Sequence, residues 1–292
     1  MKTKAVLLLC LLCCPKLFAQ DSLSTHPKRL KTVLYTGTGL YGVTLIGLNH
    51  LWYSNEPQSK FHFFNDNYEW QQVDKVGHGF TAFHISRAGV EIFEWAGLPR
   101  KKAILWGGLS GMIFQTPIEI LDGFSSAYGA SWGDVIANTA GSGLVMGQYY
   151  LWDEIRITPK LSFTRSPFAS QRPNLLGSNI LEEILKDYNG QTYWLSTNIY
   201  SFTNKENEFP KWLNIALGYG AEQMIFAEID DNKAIGLSPY RQFYLSLDVD
   251  LTKIKSKSKV INTLLFLTNT LKIPFPAMEF NENGSQFHWL KF

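Results

Sequence analysis

Residues 32–53, "TVLYTGTGLYGVTLIGLNHLWY", run apolar without one acidic or basic side chain. A helix of that length reaches across a bilayer, while its Gly and Thr content suits close packing inside a bundle equally well. The following "SNEPQSKFHFFNDNYEWQQ" reads as a loop with a rim of interfacial rings. Residues 73–97 return to helical spacing, but Asp74, Lys75, His78, His84, Arg87, Glu91 and Glu94 are spread through them, which excludes a lipid-exposed span. "AILWGGLSGMIFQTPIEILDG" and "SWGDVIANTAGSGLVMGQYYLW" supply two more helices. Ser131 is the N-cap of the second, and Asp134 stands at its N3 position.

Beyond Pro159 the pattern changes to alternation. "QTYWLSTNIYSF", "KWLNIALGYGAEQMIFA" and "RQFYLSLDVDLTKI" read as strands that pair antiparallel, and "KIPFPAMEF" and "SQFHWLKF" as edge strands. "SNILEEILKDYNG", with Asn179 and Glu182 as a capping box, and "KVINTLLFLTNTL" read as short helices. The expectation is an α+β chain: a bundle of about four helices over 20–155, then a mixed region with antiparallel strands over 156–292. A lipid-facing barrel is disfavoured, because stepping back by two from Phe292 meets Leu290, His288, Gln286 and Gly284.

The first nineteen residues, "MKTKAVLLLCLLCCPKLFA", have the charged start, short apolar run and small residue before cleavage of a secretory signal peptide. Their removal takes Lys2, Lys4 and Lys16, so 27 basic groups become 24 against 25 acidic ones. The mature chain is therefore almost neutral and has no basic patch for nucleic acid. All the cysteines (Cys10, Cys13, Cys14) lie in the signal, which excludes thiol chemistry from the mature chain. Composition points instead to lipid or a large core, with 45% hydrophobic and 14% aromatic residues in an exported chain.

Polar groups at core positions cost free energy unless paired, so the carboxylates in "IEILDGFSSAYGASWGDVIANTAG" form either a structural network or a site. Asp74 with His78, Glu119 with Asp122, and Asp134 with Asn138 each share a helix face. If the three faces close on one another, a His, several carboxylates and an amide converge, with Lys75, Ser131 and Trp132 close by. Asp134, one turn into a capped helix, is expected to be anionic, with Lys75 or His78 as its counter-charge. One His without "HExxH" lacks zinc-site spacing and no calcium loop is visible, so neither a metal nor a cofactor is expected. "GLSG" and "TAGSG" lie in helical pattern and read as close-packing glycines rather than catalytic or phosphate-binding loops.

"DKVGHGF" (74–80), "EILDG" (119–123) and "GASWGDVIANTAG" (129–141) resemble, in order and spacing, the YfiM-like family of predicted periplasmic lipoproteins, and more distantly VanZ-type proteins. The resemblance covers 73–146, and its matching positions are Asp74, Lys75, His78, Glu119, Asp122, Ser131, Trp132, Asp134 and Gly141. It implies an envelope location and no established reaction. If residues 32–53 and 73–97 both spanned a membrane after signal cleavage, Arg100, Lys101 and Lys102 would face outward, against the positive-inside tendency. The expectation is thus an exported, periplasmic or outer-membrane-associated non-catalytic protein whose partner is membrane lipid or another envelope protein. The alternative is a lipid- or isoprenyl-phosphate hydrolase using His78, Glu119 and Asp134.

Overall fold

The computed structural model describes residues 26–53, 57–203 and 208–292; the signal peptide read over 1–19 lies outside the described residues. Helix α1 (Pro27–Leu48) starts earlier than its apolar run because Pro27, at the first turn, needs no N–H partner there, and it continues into a π turn over Asn49–Tyr53. Helices α2 (Val73–Trp95), α3 (Arg100–Gly123) and α4 (Trp132–Trp152) form the bundle. α2 packs against both others, around Phe83, Val90, Ile104, Val145 and Tyr149.

The bundle closes through small residues. A Cβ on Gly111 would meet the Ala82 carbonyl at 2.1 Å, and one on Gly141 the Gly79 carbonyl at 2.1 Å, so the helix backbones touch only because these positions are glycine. Ser86 Oγ donates to the Gly108 carbonyl (2.6 Å) and sits 3.0 Å from Ser142 Oγ, stitching all three helices from inside. α1 differs: none of its residues is buried, and Leu40 and Ile46 are each 71% exposed. Its bonds to the bundle include Tyr41, whose hydroxyl donates to the Phe114 carbonyl at 2.5 Å.

Three residues before α2, Trp70, Gln71 and Gln72, have φ of 47°, 50° and 63°, a left-handed run that costs each side chain steric energy. The second half of the chain holds it. Trp70 N–H donates to the Ala227 carbonyl (2.9 Å), Gln71 Nε2 to the Pro239 carbonyl (3.2 Å), Arg241 Nη2 to Gln72 Oε1 (2.6 Å), and the Tyr219 hydroxyl to the Gln71 carbonyl.

That half is a six-stranded antiparallel meander in sequence order: β1 (Ile157–Phe163), β2 (Gln191–Asn198), β3 (Leu213–Glu222), β4 (Tyr240–Val249), β5 (Phe275–Asn281) and β6 (Gly284–Lys291). Helix α5 (Ile180–Lys186) is capped by Asn179, whose Oδ1 accepts from the Leu181 and Glu182 N–H groups. Glu182 reaches back to the Ser178 N–H rather than to the Asn179 N–H, a capping box displaced by one residue, and its other oxygen accepts from Asn179 Nδ2 at 2.7 Å. Helices α6 (Ile229–Ala234) and α7 (Lys259–Thr268) occupy later connections.

Two strand readings are corrected. β1 was not among the expected strands because Pro159 interrupts its pattern; it is an edge strand, where the missing N–H is tolerated. β5 is not an edge but lies between β4 and β6.

The sheet is inverted. Inward from β1 to β5 point Lys160, Ser196, Asn214, Ser246, Asp248 and Glu279, all buried. Outward lies a cross-strand row of Leu195, Leu217, Leu245, Met278 and Phe287, flanked by an aromatic row of Tyr219, Phe243 and Phe280, while Tyr193 at the end of that row is buried against Phe80 of α2. The alternation of β6 looked broken from the C-terminus because a β-bulge lies there: Ala277 pairs with His288 but Phe275 with Lys291, leaving one extra residue in β6. Phe287, Trp289 and Leu290 consequently all face outward, while His288 reaches Glu279 inside at 2.6 Å.

Candidate functional site

Each pair foreseen on one helix face sits where α2, α3 and α4 meet. α2 contributes Asp74, Lys75 and His78, α3 contributes Glu119 and Asp122, and α4 contributes its cap Ser131 with Asp134 and Asn138. Ser131 Oγ accepts the Asp134 N–H at 3.2 Å, which fixes the first turn of α4 and aims Asp134 inward. Gly133 keeps this turn open, since a Cβ there would meet Asn67 Oδ1 at 2.2 Å and the Lys75 stem at 3.0 Å.

Lys75 is the hub. Its Nζ lies 2.6 Å from Asp66, 3.0 Å from Asp74 and 2.9 Å from Asp134. Burial opposes its charge, yet Asp74, Asp134 and Asp66 together hold its pKa above the ordinary lysine value. Asp74 is pushed up by burial, with Lys75 acting against that shift.

On the other side of Asp134 stands His78. Its Nδ1 is 3.2 Å from Asn138 Oδ1 and 3.7 Å from Glu119 Oε1, and its Nε2 is 3.7 Å from Asp134 Oδ1. Glu119 Oε2 accepts the Ser131 N–H at 3.3 Å, while its buried Oε1 accepts no hydrogen bond among the described residues. Burial first, then the Asp134 and Asp122 charges, raise the Glu119 carboxyl to about 8. Asp122 lies at the rim, where burial lifts it to about 6 although the Tyr53 hydroxyl donates to it at 2.6 Å.

Trp132 stands apart from the convergence. It is 62% exposed and stacks on Phe63, with centroids 5.1 Å apart and planes 7° from parallel. Asp66 and Tyr53 join the cluster without having been signalled, because they lie outside the helices whose spacing identified the rest. Ser131 Oγ donates to Asp66 Oδ1 at 2.5 Å, so its hydroxyl is committed away from His78 and the arrangement is no Ser–His couple. His84 serves the joint between the two halves, with Nε2 donating to the Pro159 carbonyl at 2.8 Å.

The arrangement can bind and orient a polar or cationic group: five carboxylates surround one lysine and one imidazole, with acceptor atoms outnumbering donors. No curated protein and no solved structure matches this chain. Residues 62–149 match the family described as predicted periplasmic lipoprotein (DUF2279), and that stretch contains every site residue named above except Tyr53. The chain is accordingly an exported protein, periplasmic or membrane-associated, whose site region is similar to a periplasmic lipoprotein family without an assigned role.

Proposed function

We propose that this chain is a non-catalytic envelope protein that rests against membrane lipid through its apolar outer surface, with the helical cluster bracing the bundle and holding a polar ligand. The observation that carries the reading is the inverted sheet. Its polar residues are buried and bonded to one another, whereas Leu217 is 59% and Trp289 80% exposed. Water offers no reason for this arrangement, and hydrocarbon does.

Two further surfaces support it. α1 exposes Tyr35, Leu40, Val43 and Ile46, and α7 exposes Val260, Leu264 and Leu267. Among the described residues β6 pairs only with β5, so the sheet has an open edge; the reading is a face laid on lipid rather than a closed spanning barrel. The motif order, which resembles that of YfiM-like and VanZ-type proteins, suits envelope placement and implies no established reaction. A hydrolase would need a nucleophile or water positioned by His78, and the neighbouring Ser131 hydroxyl is already spent on Asp66.

Flotation with phospholipid vesicles tests the reading. Wild type should rise with the vesicles and should need detergent to leave a membrane fraction. A Leu217→Lys, Leu245→Lys variant, changed on the outer face only, should remain folded and partition several-fold less. Recovery of wild type in the soluble fraction after gentle lysis would overturn the reading.

A further inference from the structure

We propose that His78, Glu119 and Asp134 form a binding site for one divalent cation of the zinc class. One ligand atom from each of the three side chains lies within 4.8 Å of the other two, and the residues come from three different helices. Zinc donors at about 2.1 Å in tetrahedral array sit about 3.4 Å apart, so closure asks for side-chain shifts of about 1 Å. An imidazole nitrogen beside two carboxylates selects zinc-class ions over calcium or magnesium.

Two independent observations point to a ligand here. Glu119 is only 4% exposed, and its Oε1 faces His78 with no hydrogen-bond donor among the described residues. Next, His78 Nδ1 has the acceptor Asn138 Oδ1 as its partner at 3.2 Å, which leaves Nε2, 3.7 Å from Asp134 Oδ1, as the ring nitrogen open to an ion; Glu119 Oε1, 3.7 Å from Nδ1, reaches that ion by turning toward Nε2. Asp134 Oδ1 is also 2.9 Å from Lys75 Nζ, so an ion at Nε2 competes with the ammonium for that oxygen, and the amide acts as the outer partner that orients a metal-bound imidazole.

The neighbouring lysine decides which of two trios is the site. Asp66, Asp74 and Asp134 also have ligand spacing, but Lys75 Nζ lies among them and supplies their counter-charge. His78, Glu119 and Asp134 share only Asp134 with that ammonium. Metal binding leaves Lys75 with Asp66 and Asp74, so both cations are accommodated. Helical spacing alone did not suggest a metal, because its ligands are one per helix and no sequence-local motif joins them.

The test is calorimetric titration of the mature, untagged, chelator-stripped chain in detergent with zinc chloride, with excess magnesium and calcium present. One equivalent should bind in wild type, and His78→Ala and Glu119→Gln should each weaken binding by about tenfold or more, with far-UV circular dichroism verifying their fold. Absence of zinc binding, or unchanged binding in both folded variants, overturns the site. Should a variant fail to fold, X-ray absorption of zinc-loaded wild type decides. One imidazole with oxygen ligands is expected, and a shell of several imidazoles or of water alone overturns it. The outcome is independent of lipid binding, so vesicle flotation and zinc titration can fail separately.

Discussion

Both halves of this chain bury charge, but they balance it differently. Inside the sheet, Lys160 and Asp248 are each fully buried and pair at 2.7 Å, Ser196 Oγ donates to the same carboxylate, and Lys272 Nζ donates to the Ser246 hydroxyl and to the Leu247 and Ile273 carbonyls. Glu279 likewise collects His288, Gln242 and Asn281. Where α2, α3 and α4 meet, carboxylates outnumber cations, and Glu119 keeps a buried oxygen without a hydrogen bond among the described residues. A balanced buried network is a structural device, since each of its members leaves the others uncompensated when removed. An unbalanced one is folded at a cost and reads as a site.

The contrast is sharpest at Lys160. Lys160→Met strands Asp248 at full burial and should cost about 3 kcal/mol or more in denaturant unfolding, whereas adding Asp248→Leu should recover most of the loss. A single variant as stable as wild type would break the claim that the sheet interior is a charge-balanced network. Next in size is a pH effect at the joint between the halves. Burial, reinforced by Arg87 and Lys160 and opposed by the bond to Pro159, lowers the His84 pKa to about 4. The unfolded chain then takes up the proton first, so stability is complete above about pH 6.5 and is lost as pH falls toward 4. The ring is partly exposed, and about 2 kcal/mol is the expected loss. His84→Gln, which still donates to Pro159, should flatten the stability profile over that window.

Within the site the expected costs are smaller. Ser131→Ala removes the α4 cap and the bond to Asp66, and should lower stability by about 1 kcal/mol in a thermal melt. Asp134→Asn should change stability by less than about 1 kcal/mol, because Lys75 keeps Asp66 and Asp74, while zinc binding should be lost. Reading the sequence alone, losing Asp134 would strand a buried cation; the second and third carboxylates on Lys75 remove that expectation. A melt lowered as far as that of Lys160→Met would erase the distinction between the two interiors.

The helices, most strands and the three same-face pairs, spaced three or four residues apart, were legible because each depends on local periodicity. β1 was hidden by Pro159, and the true phase of β6 by the bulge after His288. The inversion of the sheet was not legible for a different reason. "RQFYLSLDV" alternates cleanly, but alternation says only that two faces differ and not which of them is enclosed. At the site, spacing identified the side chains on each helix, whereas their meeting depends on Gly111 and Gly141 letting the backbones touch. Asp66 and Tyr53 carried no periodic signal, and Trp132, although inside the motif, turns outward onto Phe63.

The left-handed turn at Trp70–Gln72 ties these two interiors together. A bare chain has no reason to adopt three successive unfavourable conformations, so the turn depends on the Arg241 and Tyr219 side chains of the sheet that receive it. The first two turns of α2, which deliver Asp74, Lys75 and His78, begin at the next residue. The motif region is therefore no portable cassette. Grafted elsewhere without its β-sheet it would retain every ligand in sequence and lose the angle at which they meet.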